Sequence, residues 1–132
     1  MKNVSKGKIL IVDDSPTALK VARLALENAG YEVITRKEAV LVSSTIMRED
    51  PQIVLLDVTM PAVTGDKLVE IIRSHPACAG TIVLLYSVKP AAELEALARR
   101  CGADGFIQKG PDASLLARQI DRWMGRLQER GG

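Results

Sequence analysis

Ile53-Val54-Leu55-Leu56-Asp57-Val58-Thr59-Met60-Pro61-Ala62-Val63-Thr64-Gly65 is the stretch on which the fold of this 132-residue chain turns. It begins as a short, unbroken apolar run, the pattern of a strand buried on both faces of a parallel sheet. The run stops on one carboxylate, Asp57. A turn follows, punctuated by Met60-Pro61 and Gly65. Ligands of open α/β sheets lie just beyond the carboxyl ends of the strands, so Asp57 is placed for chemistry. A plainer role is equally open to it, that of capping the turn with a side-chain oxygen.

The flanking sequence repeats the theme. Residues 8–12 form an apolar strand that ends in Asp13-Asp14. Ser15 then caps a helix with Pro16 at its first position. Ala18, Ala22, Ala25 and Ala29 make a small apolar stripe beside Leu19 and Leu26, and Gly30 closes the helix. Residues 31–35 form a more polar strand, as suits a sheet edge. Residues 36–50 form a second helix, stopped by Pro51. Beyond the opening stretch, Leu68, Ile71 and Ile72 recur at helical spacing over 64–74. A loop over 75–80 leads to a buried strand over 81–85, which ends near Ser87. A helix over 90–100 carries Leu94, Leu97, Ala98 and Cys101, with acids early and Arg99-Arg100 late, in keeping with its dipole. Gly102 ends it. A short strand over 106–108 runs into Lys109. The last helix, 112–129, places Leu116, Ile120, Trp123 and Leu127 on one face. Five strand–helix units predict an α/β protein with a parallel sheet covered on both faces. They form one domain over 1–132, with its core at about 8–128.

Composition narrows the function. At 47% hydrophobic and 26% charged residues the chain reads as soluble and globular. A net charge of +2 gives no ground for a nucleic-acid partner. Cys78 and Cys101 lack metal-ligand spacing and are expected to be reduced, buried thiols of a cytoplasmic protein. The apolar run Ile9-Leu10-Ile11-Val12 is too short for a signal peptide or a membrane span.

Parallel strands bring their ends to one side. Asp13, Asp14, Asp57, Ser87 and Lys109 are thus expected together. Carboxylates packed this closely repel unless a cation joins them. A hard divalent ion with oxygen ligands, Mg²⁺, is the natural partner. A metal, an ammonium and a hydroxyl around one Asp are what phosphoryl transfer needs, with Asp57 as the nucleophile that forms an acyl phosphate.

With these residues in view, the chain resembles the receiver domains of bacterial two-component response regulators. The resemblance rests on Asp13-Asp14, on Asp57-x-x-Met60-Pro61-x-x-x-Gly65, and on Ser87, Phe106 and Lys109, in that order on five strand–helix units. It covers nearly the whole chain, and the length is similar to the single-domain members, such as the chemotaxis response regulator. It implies a doubly wound, flavodoxin-like fold with strand order 2-1-3-4-5. It implies phosphorylation of Asp57 by a sensor histidine kinase or histidine phosphotransfer protein. Asp14 would bind Mg²⁺ directly and Asp13 through water, with Asp57 and the backbone carbonyl of Thr59 completing the set. Ser87 and Lys109 would hold the phosphoryl group. Ser87 and Phe106 would form the switch, rearranging a face of the fourth helix, fifth strand and fifth helix that binds a downstream protein or a second copy. The module would not be an enzyme, apart from its own phosphorylation and dephosphorylation.

Three departures from the family pattern carry consequences. Val88 follows Ser87 where a small residue is usual, so slow reaction with small donors is expected. Gly110 separates Lys109 from Pro111, which puts the reach of Lys109 in question. Phe106 lacks the hydroxyl of the Tyr that many members carry. Other functions fit less well. A phosphate-independent interaction module with a degenerate site has to explain the intact acids. An aspartyl phosphatase usually needs a second acid two residues after the nucleophile, where Thr59 stands. A flavodoxin-like cofactor binder needs a phosphate loop where Asp13-Asp14 stand. Outside the site, Arg118, Arg122, Arg126 and Arg130 form a basic ridge expected to be solvated and paired with Asp121 and Glu129. His75 takes no role.

Overall fold

The computed structural model describes residues 5–40, 42–59, 65–110 and 113–131. Strands and helices alternate as β1 (Lys8–Val12), α1 (Pro16–Asn28), β2 (Glu32–Arg36), α2 (Val42–Glu49), β3 (Ile53–Leu56), α3 (Gly65–Arg73), β4 (Ile82–Ser87), α4 (Ala91–Cys101), β5 (Gly105–Gln108) and α5 (Ser114–Gly131). The strands pair in parallel in the order β2-β1-β3-β4-β5, the doubly wound order expected. The Met60-Pro61 turn, Thr64, Pro111 and Asp112 lie outside the described residues.

Side-chain alternation along the strands divides the core into two layers. Leu10, Val12, Val54, Leu56, Val83 and Leu85 pack against α2, α3 and α4. Ile9, Ile11, Ile53, Leu55, Ile82 and Leu84 pack against α1 and α5. These residues of the central strands are buried, which explains their continuous apolar runs. Each such Leu or Ile contributes about 1.5–3 kcal/mol by leaving water.

Several elements differ from the sequence expectation. β2 starts one residue later and includes Arg36, whose carbonyl accepts the Asp13 N–H at 3.1 Å. The ladder with β1 thus claims the residue expected to open the second helix, and α2 begins only at Val42. In α1 the buried positions are Leu19, Ala22 and Leu26, with the other alanines at the margins. In α3, Val69 is buried and Ile71 is 42% exposed. The helix is phased by Gly65, on which a Cβ would lie 2.6 Å from the Asp57 carbonyl oxygen and 2.8 Å from the Val58 Cα. Only glycine allows this approach, and it leaves Leu68, Val69 and Ile72 inward. The expected loop over 75–80 contains a 3-10 turn, Pro76–Cys78.

α5 buries Met124 in addition to Leu116 and Ile120, while Trp123 is half-buried against Gly105 of β5. The expected pairing of its arginines with Asp121 is not formed among the described residues. Asp121 instead accepts the Tyr31 hydroxyl and pairs with Lys6 at 3.1 Å. Arg126 lies over the Trp123 ring, 4.6 Å from its centroid, and Arg118 and Arg122 are exposed. Cys78 and Cys101 are free and buried, and burial pushes the Cys78 thiol above its ordinary pKa. No described helix is long and apolar enough to cross a membrane.

The Tyr31–Asp121 bond ties the α1–β2 connection to α5. It holds the Asp121 carboxyl below its ordinary pKa of 3.8, with Lys6 adding to the effect. Burial, and then Asp121, raises the Tyr31 phenol. The Asp121 contribution is therefore complete above the unfolded value of 3.8 and is lost as pH falls through the lower folded value. Tyr31→Phe is expected to cost about 1 kcal/mol at neutral pH, since Asp121 is half-exposed. Urea denaturation at a series of pH values should show the gap between the two proteins narrowing in acid. A gap independent of pH would contradict this role.

Candidate functional site

The sheet register assembles the site. Val12, Leu56, Leu85 and Phe106 lie in one row across β1, β3, β4 and β5. One step further on, alternation turns Asp13, Asp57, Tyr86 and Ile107 toward the α1/α5 layer. Lys109 follows Ile107 by two residues and shares that direction. The row holds beyond the strand ends, because the Asp57 N–H donates to the Val12 carbonyl at 2.9 Å. The Lys109 N–H likewise donates to the Ser87 carbonyl at 2.7 Å.

Asp13 is 2% exposed and has both oxygens engaged. Oδ1 accepts the Ser15 N–H at 2.9 Å, and Oδ2 accepts the Lys109 ammonium at 2.6 Å. Ser15 in turn caps α1 by accepting the Ala18 N–H at 3.2 Å. Asp14 is exposed. Asp57 is 4% exposed, and its Oδ1 accepts both the N–H and the hydroxyl of Thr59, at 3.0 and 2.8 Å. Asp57 therefore does cap its turn, with one oxygen. Oδ2 has no hydrogen bond among the described residues and stays available.

Oxygens of Asp13, Asp14 and Asp57 lie within 4.8 Å of one another. At an effective dielectric near 20, each such pair repels by about 3 kcal/mol. Lys109 supplies one positive charge against three negative ones, and its side chain is mostly buried. The all-oxygen donor set with residual negative charge fits a hard divalent cation.

Ser87 is 2% exposed, and its Oγ accepts the Lys89 N–H at 3.2 Å. Val88 beside it is 73% exposed. Phe106 is half-buried in the α4-side layer, opposite Leu85. The residues expected to meet in the site (Asp13, Asp14, Asp57, Thr59, Ser87 and Lys109) all stand at the carboxyl ends of the strands. Lys109 reaches Asp13 with Gly110 following it, and no described peptide bond is cis.

One neighbour is absent from the sequence expectation. The Lys109 ammonium sits over the Tyr86 ring, 5.1 Å from its centroid. Burial, and then the Asp13 charge, pushes the Tyr86 phenol up to about 12. The signal for it lies in the alternation. With β4 ending at Ser87, an aromatic at 86 shares the direction of Asp13, Asp57 and Lys109, whereas the apolar run alone ends the strand at 85.

Comparison with known proteins agrees with this geometry. Residues 9–121 match the family model of the response regulator receiver domain. Protein PilG of Pseudomonas aeruginosa is 29% identical over 110 residues, which span 83% of this chain and 82% of PilG. The CAI-1 autoinducer sensor kinase/phosphatase CqsS of Vibrio cholerae is 27% identical over 93% of this chain, which spans only 18% of that larger protein. Among solved structures, the chemotaxis protein CheY4 of Vibrio cholerae superposes with a TM-score of 0.80 at 26% identity, over 87% of this chain and 96% of CheY4. A carboxylate cluster at the ends of β1 and β3, an ammonium delivered from β5 and a family match over almost the whole sheet agree: the chain belongs to the response regulator receiver domains, the phosphoacceptor modules of two-component signalling.

Proposed function

We propose that Asp57 is the phosphoacceptor, that Mg²⁺ is held by Asp13, Asp14, Asp57 and the Thr59 carbonyl, and that Ser87 and Lys109 receive the phosphoryl oxygens. The observation that carries this is the Lys109–Asp13 bond, which brings an ammonium to the acids across 96 residues of chain. Mg²⁺, when bound, neutralises charge on the acids and on the incoming phosphoryl oxygens. Asp57 Oδ2 is the free oxygen and attacks phosphorus. The P–N bond to a donor histidine breaks, its electron pair goes to the ring nitrogen, and the ring leaves as neutral imidazole when its other nitrogen is protonated. The product is an acyl phosphate on Asp57.

The new phosphoryl group competes for the partners of the resting state. Lys109 is drawn from Asp13 toward the phosphoryl oxygens, and Ser87 turns its hydroxyl from the Lys89 N–H to the same group. Phe106, half-buried behind Ser87, follows inward. The face of α4, β5 and α5 is thereby shifted between two packings and presented to a downstream protein or a second copy. The apolar surface beside Lys109 suits a protein phosphodonor. Val21, Val88 and Leu115 are exposed apolar residues around a cleft of about 560 Å³ that also takes in Lys109. A cytoplasmic location is part of the proposal and suits two free, buried thiols.

Intact-mass measurement with Mg²⁺ and acetyl phosphate tests the assignment. One phosphate should add to the native chain, be lost in mild base, and be absent from Asp57→Asn. An adduct that persists in Asp57→Asn would contradict it. Absence of any adduct, together with no beryllofluoride-induced change in the spectrum of the folded protein, would favour a phosphate-independent interaction module. Val88→Ala should accelerate the reaction with acetyl phosphate by about two- to tenfold, in a time course read by the same mass assay. An unchanged rate would remove Val88 as an obstacle.

A further inference from the structure

We propose that Tyr86 is a positioning residue whose ring face holds the Lys109 ammonium at the carboxylate cluster; this rests on the phosphoacceptor role given above. Among the described residues the Lys109 ammonium has two close partners, the Asp13 carboxylate at 2.6 Å and the Tyr86 ring at 5.1 Å to its centroid. A cation within about 6 Å of an aromatic centroid is attracted by the ring quadrupole, and more strongly where water is excluded. Tyr86 is well fixed to act in this way. Its backbone pairs with Ile107 in the β4–β5 ladder, and its ring is half-buried in the layer between the sheet and α1 and α5.

The two contacts differ in what happens when the site is loaded. A cation on the acids and a phosphoryl group on Asp57 both compete with the Asp13–Lys109 bond. The ring contact competes with neither. A lysine stem with four rotatable bonds loses much freedom when its head is fixed, and a glycine follows Lys109 in the loop. Tyr86 keeps the ammonium near the acids while its anionic partner changes. An aliphatic residue of similar size fills the space without offering a π face.

The test uses the whole chain as Tyr86→Phe, Tyr86→Leu and Tyr86→Met. The first readout needs neither metal nor phosphate. The Lys109 ε-methylene resonances should be shifted upfield by the ring in the native chain and in Tyr86→Phe, and should return to ordinary lysine positions in the other two. The second readout is the time course of phosphorylation by acetyl phosphate at saturating Mg²⁺, with the donor concentration varied. Tyr86→Leu and Tyr86→Met should lower the maximal rate about three- to tenfold with little change in half-saturation, and Tyr86→Phe should match the native chain. Thermal melts identify any variant that has not folded, and the two aliphatic variants back each other up. Unshifted Lys109 resonances in the native chain would overturn the proposal. Native rates in both aliphatic variants, or a Tyr86→Phe variant as slow as they are, would also do so. A folded native chain that takes no phosphate and shows no beryllofluoride-induced change defeats the Asp57 assignment, while the Lys109 resonances still decide whether the ring holds the ammonium.

Discussion

Three carboxylates gathered within 4.8 Å, with one ammonium to offset them, set the terms for the whole molecule. Such a cluster forms only where a rigid scaffold overrides the repulsion of its members. The parallel sheet provides that scaffold. Both core layers lock β1 and β3 in register, so Asp13 and Asp57 have no freedom to draw apart. Lys109 then links β5 to β1 over two intervening strands. The position of Lys109 is thereby coupled to the charge at the strand ends. Any added anion or cation alters the balance that keeps Lys109 on Asp13.

The polar groups of the site share a second property. Several of them are held by local partners that can be exchanged. Thr59 occupies one oxygen of Asp57, Lys89 N–H occupies the Ser87 hydroxyl, and Ser15 N–H occupies Asp13. A buried polar group left without a partner costs about 1–3 kcal/mol, so these bonds make the resting state stable. Phosphoryl oxygens can replace Asp13 as the acceptor for Lys109 and can accept the Ser87 O–H, which trades one bonded arrangement for another. A two-state response needs such near-balance.

Much of this is legible in the sequence because parallel strands are easy to recognise and their ends carry the chemistry. The apolar runs ending in Asp13-Asp14 and Asp57 indicate the sheet, and the topology brings Asp57 and Lys109 to the same edge. The capping role of Asp57 and its availability for chemistry are compatible, since each uses a different oxygen. The departures come from three-dimensional competition that a linear pattern does not show. Arg36 is drawn into β2 by a backbone bond to Asp13. Ile71 is turned outward by the close approach of Gly65 to the Asp57–Val58 backbone. Asp121 is taken by Tyr31, 90 residues away, and not by its neighbouring arginines. Tyr86 escapes notice because one extra pair of strand residues decides which way it faces.

A crystal structure of the chain with Mg²⁺ and beryllofluoride would resolve the coupling of Lys109 to the acids at atomic detail. The ammonium should be found on a fluoride bonded through beryllium to Asp57, away from Asp13 Oδ2, with the Ser87 hydroxyl turned from Lys89 N–H to a second fluoride. A folded protein that binds no beryllofluoride at Asp57 and keeps Lys109 on Asp13 would contradict the phosphorylation switch.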